Sequence, residues 1–314
     1  MKKTLLMVAL AAVCGMAQAK ILRVNNTTGS GAPYTTIADA LTAAAEEDTI
    51  MVDGSNKSYG GMTITKKLVV LGPGFWRSEN GITAQGESDA SFAAIKINDT
   101  APGTVLRGLK IETINVSADN VVINRCHVTS DINVKTSVSG HADNCIIHQN
   151  FIQGSISGYA NNNYANYTQV TNNIFAGTNA GVVKWLNEAN IAYNTFTIAS
   201  VSYNFEQITG ISGCRVEKNI LGIAGSDIEG NTYIDNYKPN SPLFDNHDRD
   251  LFVKNQEFTE DIAAAIAGKG AFNGDDPYVI SGIPAGPVIQ DLTVPASVEQ
   301  GNNLNITIKL GVQK

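Results

Sequence analysis

Ile147-His148-Gln149-Asn150-Phe151-Ile152 has three later relatives in the chain: Val170-Thr171-Asn172-Asn173-Ile174-Phe175, Ile191-Ala192-Tyr193-Asn194-Thr195-Phe196 and Val216-Glu217-Lys218-Asn219-Ile220-Leu221. Each reads aliphatic, two variable residues, Asn, one variable residue, large apolar residue. Ile123 to Val128 is an earlier copy with Cys126 in the Asn place. That place falls at 126, 150, 173, 194 and 219, in steps of 24, 23, 21 and 25 residues. A drifting period in the low twenties marks a solenoid, in which each repeat contacts only its neighbours.

The phrase is too short and too rich in alternating apolar residues for a helical repeat. It reads as a strand buried on one face. A single repeat cannot bury that face. Stacked repeats can, with Ile147, Val170, Ile191 and Val216 in one inner row and Ile152, Phe175, Phe196 and Leu221 in another. Asn150, Asn173, Asn194 and Asn219 then form a ladder. Asn is expected to be the turn residue itself, since it tolerates the left-handed backbone region and hydrogen-bonds locally. The expected fold class is all-β, a parallel β-helix. A β-sandwich would show two-residue hairpin turns at shorter spacing, without a turn Asn in fixed phase.

Residues 1–19 read as a secretory signal: Lys2 and Lys3, an apolar run from Leu5 to Val13, and Ala17-Gln18-Ala19 as cleavage site. Cys14 raises lipid anchoring, but Ala11-Ala12-Val13 before it fits a lipobox poorly. The expected location is secreted, in the periplasm, outside the cell or on the surface of a Gram-negative bacterium. Loss of Lys2 and Lys3 leaves 20 basic and 29 acidic residues. This balance argues against nucleic acid as a partner and leaves room for a glycan. No later segment is long and apolar enough to span a membrane. Cys126, Cys145 and Cys214 are an odd set without a disulfide framework or zinc spacing.

Lys20 to Asn26 reads as a first strand, and Thr36 as the N-cap of a short helix from Ile37 to about Ala45 that covers the open end of the stack. The series Tyr34-x-Thr36-Ile37-x-x-Ala40-Leu41, Asp48-x-Ile50-x-Val52, Tyr59 to Ile64 and Lys67-Leu68 to Gly72 resembles the opening of pectin-lyase-like β-helix proteins. With the later repeats, the resemblance spans roughly residues 20 to 240. It implies a right-handed, single-stranded parallel β-helix over 20–284, with the N-terminal helix as a cap and residues from Ser241 onward as a closing segment. Residues 285–314 read as a tail with strands Ile289 to Pro295 and Leu304 to Leu310. The resemblance specifies architecture and leaves activity open, because this architecture hosts lyases, hydrolases, esterases and inert adhesins.

A lyase of this type needs clustered acids for calcium and an Arg or Lys as base. Phase alignment puts Arg125, Gln149, Asn172, Tyr193 and Lys218 in one outward column, and Asn124, His148, Thr171, Ala192 and Glu217 in the next. Neither holds carboxylates in neighbouring repeats. Arg125 with His127 and Asp131 is the best catalytic grouping, with Lys218 as a further base candidate. For a glycoside hydrolase the nearest carboxylate pairs are Asp227 with Glu229, and Asp245 with Asp248 and Asp250, although Asp250 reads equally as a turn or cap residue. The histidines His127, His141, His148 and His247 show no metal spacing, so no cofactor is expected, and calcium only if the protein is a lyase. Tyr164 and Tyr167 lie in an Asn-rich turn, and Trp185 and Tyr203 belong to a second aromatic cluster. Sugar rings stack on aromatic faces and amides match hydroxyls, so these four are the candidate ligand-binding residues; gap-filling over the repeats is the competing reading. The expectation is a non-catalytic, glycan-binding surface protein, against a polysaccharide-degrading enzyme and a structural or adhesive spacer.

Overall fold

The structure is a computed structural model describing residues 19–81, 88–134, 142–158, 164–176, 183–197, 207–222, 227–241, 243–244, 249–284, 286–293, 295, 297, 303–304 and 306–313. Residues 1–18 of the expected leader, Cys14 among them, lie outside that set.

Two long parallel sheets dominate. The ten-stranded sheet takes its strands in chain order: Ile21–Val24, Thr49–Val52, Val69–Leu71, Val105–Arg107, Val122–Asn124, Ile146–His148, Gln169–Thr171, Asn190–Ala192, Arg215–Glu217 and Thr232–Ile234. Each strand sits beside the one a repeat earlier and the one a repeat later. That order is compatible with a parallel β-helix-like solenoid. The register aligns Leu22, Ile50, Val70, Leu106, Ile123, Ile147, Val170, Ile191, Val216 and Tyr233 in one inner row. The four residues expected at its centre are fully buried.

The second sheet begins with Gly61–Ile64, Ser91–Ile97 and Lys110–Val116. It then splits. Lys110 and Ile111 pair with His127–Val128, whereas Ile114 to Val116 pair with Ile132–Val134. Three residues, Thr129 to Asp131, stand between the arms where Glu112 and Thr113 stood in the previous repeat. One arm continues through Phe151–Ile152, Ile174–Phe175 and Thr195–Phe196, the other through Ile156–Ser157, Val183–Lys184 and Ile208–Thr209. Within the first arm Phe175 and Phe196 stack at 4.6 Å with their planes 7° apart, as the second inner row requires.

The N-terminal helix α1, Ile37–Ala43, buries Ile37 and Ala40 at the first repeat. Thr36 caps it: its hydroxyl accepts from the Asp39 backbone N–H at 3.1 Å and donates to the Asp39 carboxylate at 2.7 Å.

After the last repeats come α2, Asp250–Lys254, α3, Glu260–Ile266, and an irregular run to Pro284. The residue following each ladder position points away from the inner rows, and Phe151, Ile174 and Ile220 occupy those places. With Phe75, Phe244, Val253, Ala271 and Tyr278 they form a second apolar cluster between the parallel sheet and the closing segment. Covering them removes apolar surface that the bare parallel sheet would expose. The C-terminal strands Gly286–Thr293 and Thr307–Gln313 pair antiparallel with each other, with a register shift between Ile289 and Asp291. They begin three residues earlier and later, respectively, than the alternation of apolar residues suggests.

Candidate functional site

The ladder is continuous. In each repeat the Asn backbone N–H and side-chain amide both donate to Oδ1 of the next Asn. The distances are 2.9 and 3.0 Å for Asn150 to Asn173, 3.0 and 3.0 Å for Asn173 to Asn194, and 2.8 and 2.9 Å for Asn194 to Asn219. The second amide hydrogen goes to the carbonyl three residues back in the preceding repeat, as from Asn173 to Ile147 at 2.9 Å. Each fully buried amide therefore meets donor and acceptor demands at once. Asn236 adds a fifth rung, accepting from the Asn219 N–H at 3.0 Å. Tyr233 in the aliphatic place and a step of only 17 residues hid this rung from the sequence pattern. Cys126 begins the ladder as a donor, its N–H reaching Asn150 Oδ1 at 2.9 Å. Burial pushes its thiol up to about 12, which leaves it un-ionised and inert at neutral pH.

The ladder Asn is not the left-handed residue. The residue before it is: Arg125, Gln149, Asn172, Tyr193, Lys218 and Asp235 have φ between 50° and 56°. The Asn keeps ordinary backbone geometry because its side chain must reach along the stack. The left-handed residue swings its own side chain outward.

That outward column, which holds two of the catalytic candidates, is where the closing segment seats. Arg125 donates from Nε to Gln149 Oε1 at 2.7 Å and from Nη1 to the Ile283 carbonyl at 2.9 Å, and is only 8% exposed. Gln149 Nε2 reaches Asp276 Oδ1 at 2.8 Å and the Pro277 carbonyl at 2.6 Å. Asn172 Nδ2 donates to the carbonyls of Ala271 and Asn273 at 3.1 and 2.8 Å. The Tyr193 ring packs against Gly274, where a side chain would meet it at 3.3 Å. Lys218 accepts at its carbonyl from the Gly270 N–H at 2.8 Å and places Nζ 3.0 Å from the Tyr193 hydroxyl. Lys269 closes the series on Asp235 at 3.0 Å.

His127 and Asp131 engage other partners. The His127 ring lies among Phe75, Trp76 and Phe151, with centroids 5.3, 4.4 and 5.5 Å away, and its Nε2 meets Gln153 Oε1 at 3.1 Å. Burial drives its pKa down to about 3, so it is neutral at any ordinary pH. Asp131 Oδ1 accepts from the Ser155 N–H at 2.8 Å and holds the corner where the second sheet splits.

Of the hydrolase pairs, Asp227 is ion-paired with Lys238, and Glu229 is exposed beside Asn231. Asp245 and Asp248 lie outside the described residues, as do His141 and His247. Asp250 is fully buried and anchors the closing segment. Its oxygens accept from Asn80 Nδ2 at 2.9 Å, the Leu251 N–H at 2.8 Å, the Tyr278 hydroxyl at 3.1 Å and the Ser281 N–H at 2.7 Å. His148 bridges Thr171 Oγ1 at 2.8 Å and Asp276 Oδ2 at 2.9 Å, a contact that the spacing of histidines did not signal because Asp276 is 128 residues distant. Among the described residues no group of three or more His, Cys, Asp and Glu side chains is placed to hold a metal ion.

The aromatic candidates behave differently. Ala165–Asn166 pairs in parallel with Leu186–Asn187, so Tyr164 and Trp185 stand at the same register just before the two strands. Trp185 has φ 58°, and its indole lies on Gly210, where a Cβ would come within 2.7 Å of Cδ1. Lys184 Nζ sits 4.8 Å from the ring centroid. Tyr167, at φ 56° on the far end of the same strand pair, is 51% exposed. Tyr203 lies outside the described residues.

No family model, curated protein or solved structure matches this chain. The site is therefore read from its own geometry.

Proposed function

We propose that the chain is a secreted, right-handed, single-stranded parallel β-helix of the pectin-lyase-like type that binds a glycan without cleaving it. The observation that carries this reading is the aromatic group around the strand pair Ala165–Asn166 and Leu186–Asn187. It combines Tyr164 and Trp185 in register, an indole whose Cδ1–Nε1 edge abuts Gly210 with a lysine amine near the ring, and Tyr167 half in solvent. Flat apolar faces bordered by amides and an ammonium suit the stacked faces and hydroxyls of a sugar. The commitment of Arg125, Lys218 and Asp131 to structural hydrogen bonds supports binding over cleavage, since a catalytic base needs a free, directed lone pair.

The test is a panel of neutral and acidic oligosaccharides, with binding measured calorimetrically and cleavage followed by unsaturated uronate absorbance and new reducing ends, with and without calcium. Binding that weakens about tenfold or more in Trp185→Ala, without product, is the expected result. Product growing with protein concentration would overturn the non-catalytic reading.

A further inference from the structure

The outward positions of the ten-stranded sheet change character along the stack. Val69, Val105, Val122 and Ile146 align on its third to sixth strands, next to the buried inner-row residues Val70, Leu106, Ile123 and Ile147. All four are half-buried. On the later strands the same row turns polar, at Gln169, Asn190 and Arg215, and Gln169 and Arg215 are exposed. Parallel sheets are usually covered on both faces, so four consecutive outward aliphatic residues form a strip that wants a second layer. At about 4.8 Å per strand the strip extends about 14 Å.

The closing segment ends at the middle of this strip. Pro284 lies so close to Gly108, the residue after Val105–Arg107, that a side chain on Gly108 would meet its Cγ at 2.7 Å. The Ile283 carbonyl accepts from Arg125, the residue after Val122–Asn124. These are the fourth and fifth strands of the sheet, the two central ones of the strip. Two residues beyond Pro284 the C-terminal hairpin begins. Among the described residues neither of its strands pairs with a strand of the two long sheets. A two-stranded hairpin alone is marginally stable in water. Its register sets Pro287 opposite Val312, Ile289 opposite Leu310 and Leu292 opposite Ile308. Directly opposed residues share a face, so one face of this ribbon is apolar in sequence, whereas the other carries Asp291–Lys309 and Thr293–Thr307. An apolar strip and an apolar ribbon thus meet at the same point of the chain.

We propose that the hairpin Gly286–Thr293 and Thr307–Gln313 seats on the strip of its own chain, as a second layer about 10 Å above the third to sixth strands. The seat continues the interface that Asp276 to Ile283 already make with Gln149 and Arg125. Connectivity favours this occupant over a second copy. The short link after Pro284 holds the ribbon at an effective concentration on the order of millimolar, which a separate molecule does not match in dilute solution. At about 3.3 Å per residue the ribbon is longer than the three-residue strands beneath it. It overhangs them toward its turn, where Ile306 is 50% exposed. The inference is independent of glycan binding.

The experiment follows hydrogen exchange of the hairpin amides by mass spectrometry in the full chain, with sedimentation equilibrium for its mass. Val105→Asp and Val122→Asp place a charge in the strip, Leu310→Asp places one in the ribbon, and Gln169→Asp is the control in the polar part of the row. Wild type is expected to be monomeric. Its hairpin amides should exchange at least about tenfold more slowly than in the strip and ribbon variants, and at the same rate as in Gln169→Asp. Combining Val105→Asp with Leu310→Asp should add nothing to either alone, because one charge already releases the ribbon. Wild-type hairpin amides as fast as those of an unstructured peptide would overturn the proposal, as would protection that Val105→Asp and Val122→Asp leave unchanged. A dimeric wild type that the variants dissociate would put a second copy on the strip and overturn the assignment to the chain's own tail. Leu310→Asp lies outside both long sheets and keeps the test open if a strip variant fails to fold. It should uncover the strip and raise binding of an apolar dye about threefold or more, and unchanged dye binding would overturn the seat.

Discussion

Asn173 receives both donors of Asn150 on one oxygen, the backbone N–H at 2.9 Å and the side-chain amide at 3.0 Å, and passes its own pair to Asn194. The ladder is therefore a chain of shared acceptors, in which every interior amide serves two repeats. Substituting Asn173 by Ala strands the Asn150 N–H and amide, the Ile147 carbonyl and an acceptor on Asn194, all without access to water. We expect a loss of about 3 kcal/mol or more in urea unfolding, since each buried orphan costs about 1–3 kcal/mol. Asn236→Ala, at the half-buried end of the ladder, should cost less than half as much. Equal losses at the two positions would contradict a ladder whose strength comes from burial.

The closing segment depends on left-handed residues whose side chains point outward. Gln149 is central, with Nε2 on Asp276 and Pro277 and Oε1 accepting from Arg125 and Asn124. Gln149→Ala should cost about 2 kcal/mol and raise proteolysis between residues 269 and 284, as the segment opens locally at lower free energy than the sheets. Gln149→Asn, too short to span the gap, should behave like Ala. Unchanged proteolysis in both variants would show that the second apolar cluster holds the segment without the column.

His127 links acidity to stability. Its folded pKa is near 3, whereas an unfolded histidine titrates near 6.5. As pH falls below about 6.5 the unfolded chain takes up a proton that the folded chain refuses. The stability present above 6.5 is thus lost progressively toward 3, at up to about 1.4 kcal/mol per pH unit from this group. Urea midpoints at pH 7.0, 6.0 and 5.0 should fall in wild type and fall less in His127→Gln, whose side chain cannot ionise. Parallel decline in both would assign the acid sensitivity elsewhere.

The parallel sheets were legible in sequence because the inner rows and the ladder leave one residue type at one place in every repeat. Ile147, Val170, Ile191 and Val216 had to be apolar, and Asn150 to Asn219 had to be amides. Two features were obscured for physical reasons. The left-handed position tolerates Arg, Gln, Asn, Tyr, Lys and Asp, because its constraint is on the backbone and its side chain serves a different partner in each repeat. It therefore looked like variable surface suited to chemistry. The second apolar cluster had a signal, Phe151, Ile174 and Ile220 in the place read as variable. A period-based reading assigns that place to solvent, and only the closing segment, about 100 residues away, shows why it is apolar. The four aromatic candidates were grouped in the sequence as one ligand-binding set, and of these Tyr164, Tyr167 and Trp185 are among the described residues. The alignment of Tyr164 with Trp185 depends on the register of Ala165–Asn166 with Leu186–Asn187, which lies outside the recurring phrase.

Asp250 should oppose His127 in its response to acid. Burial raises its pKa above that of an exposed carboxylate, even though four donors favour the ionised form. Its contribution is fully present below the unfolded value near 3.9 and is lost as pH rises through the higher folded value, so acidification gains stability at this site. Asp250→Asn removes that titration and turns one acceptor into a donor. Facing Tyr278 and Ser281, the new amide can be accommodated by rotation of the Tyr278 hydroxyl, but the Ser281 N–H, now 2.7 Å from a carboxylate oxygen, loses its acceptor. The expected cost is about 2 kcal/mol at pH 7, with the closing segment more readily cleaved. Because wild type gains from protonation and the variant does not, the gap between them should widen as pH drops from 6 to 4. A gap that narrows over that range would mean that the four donors outweigh burial and hold the Asp250 carboxyl below its ordinary pKa.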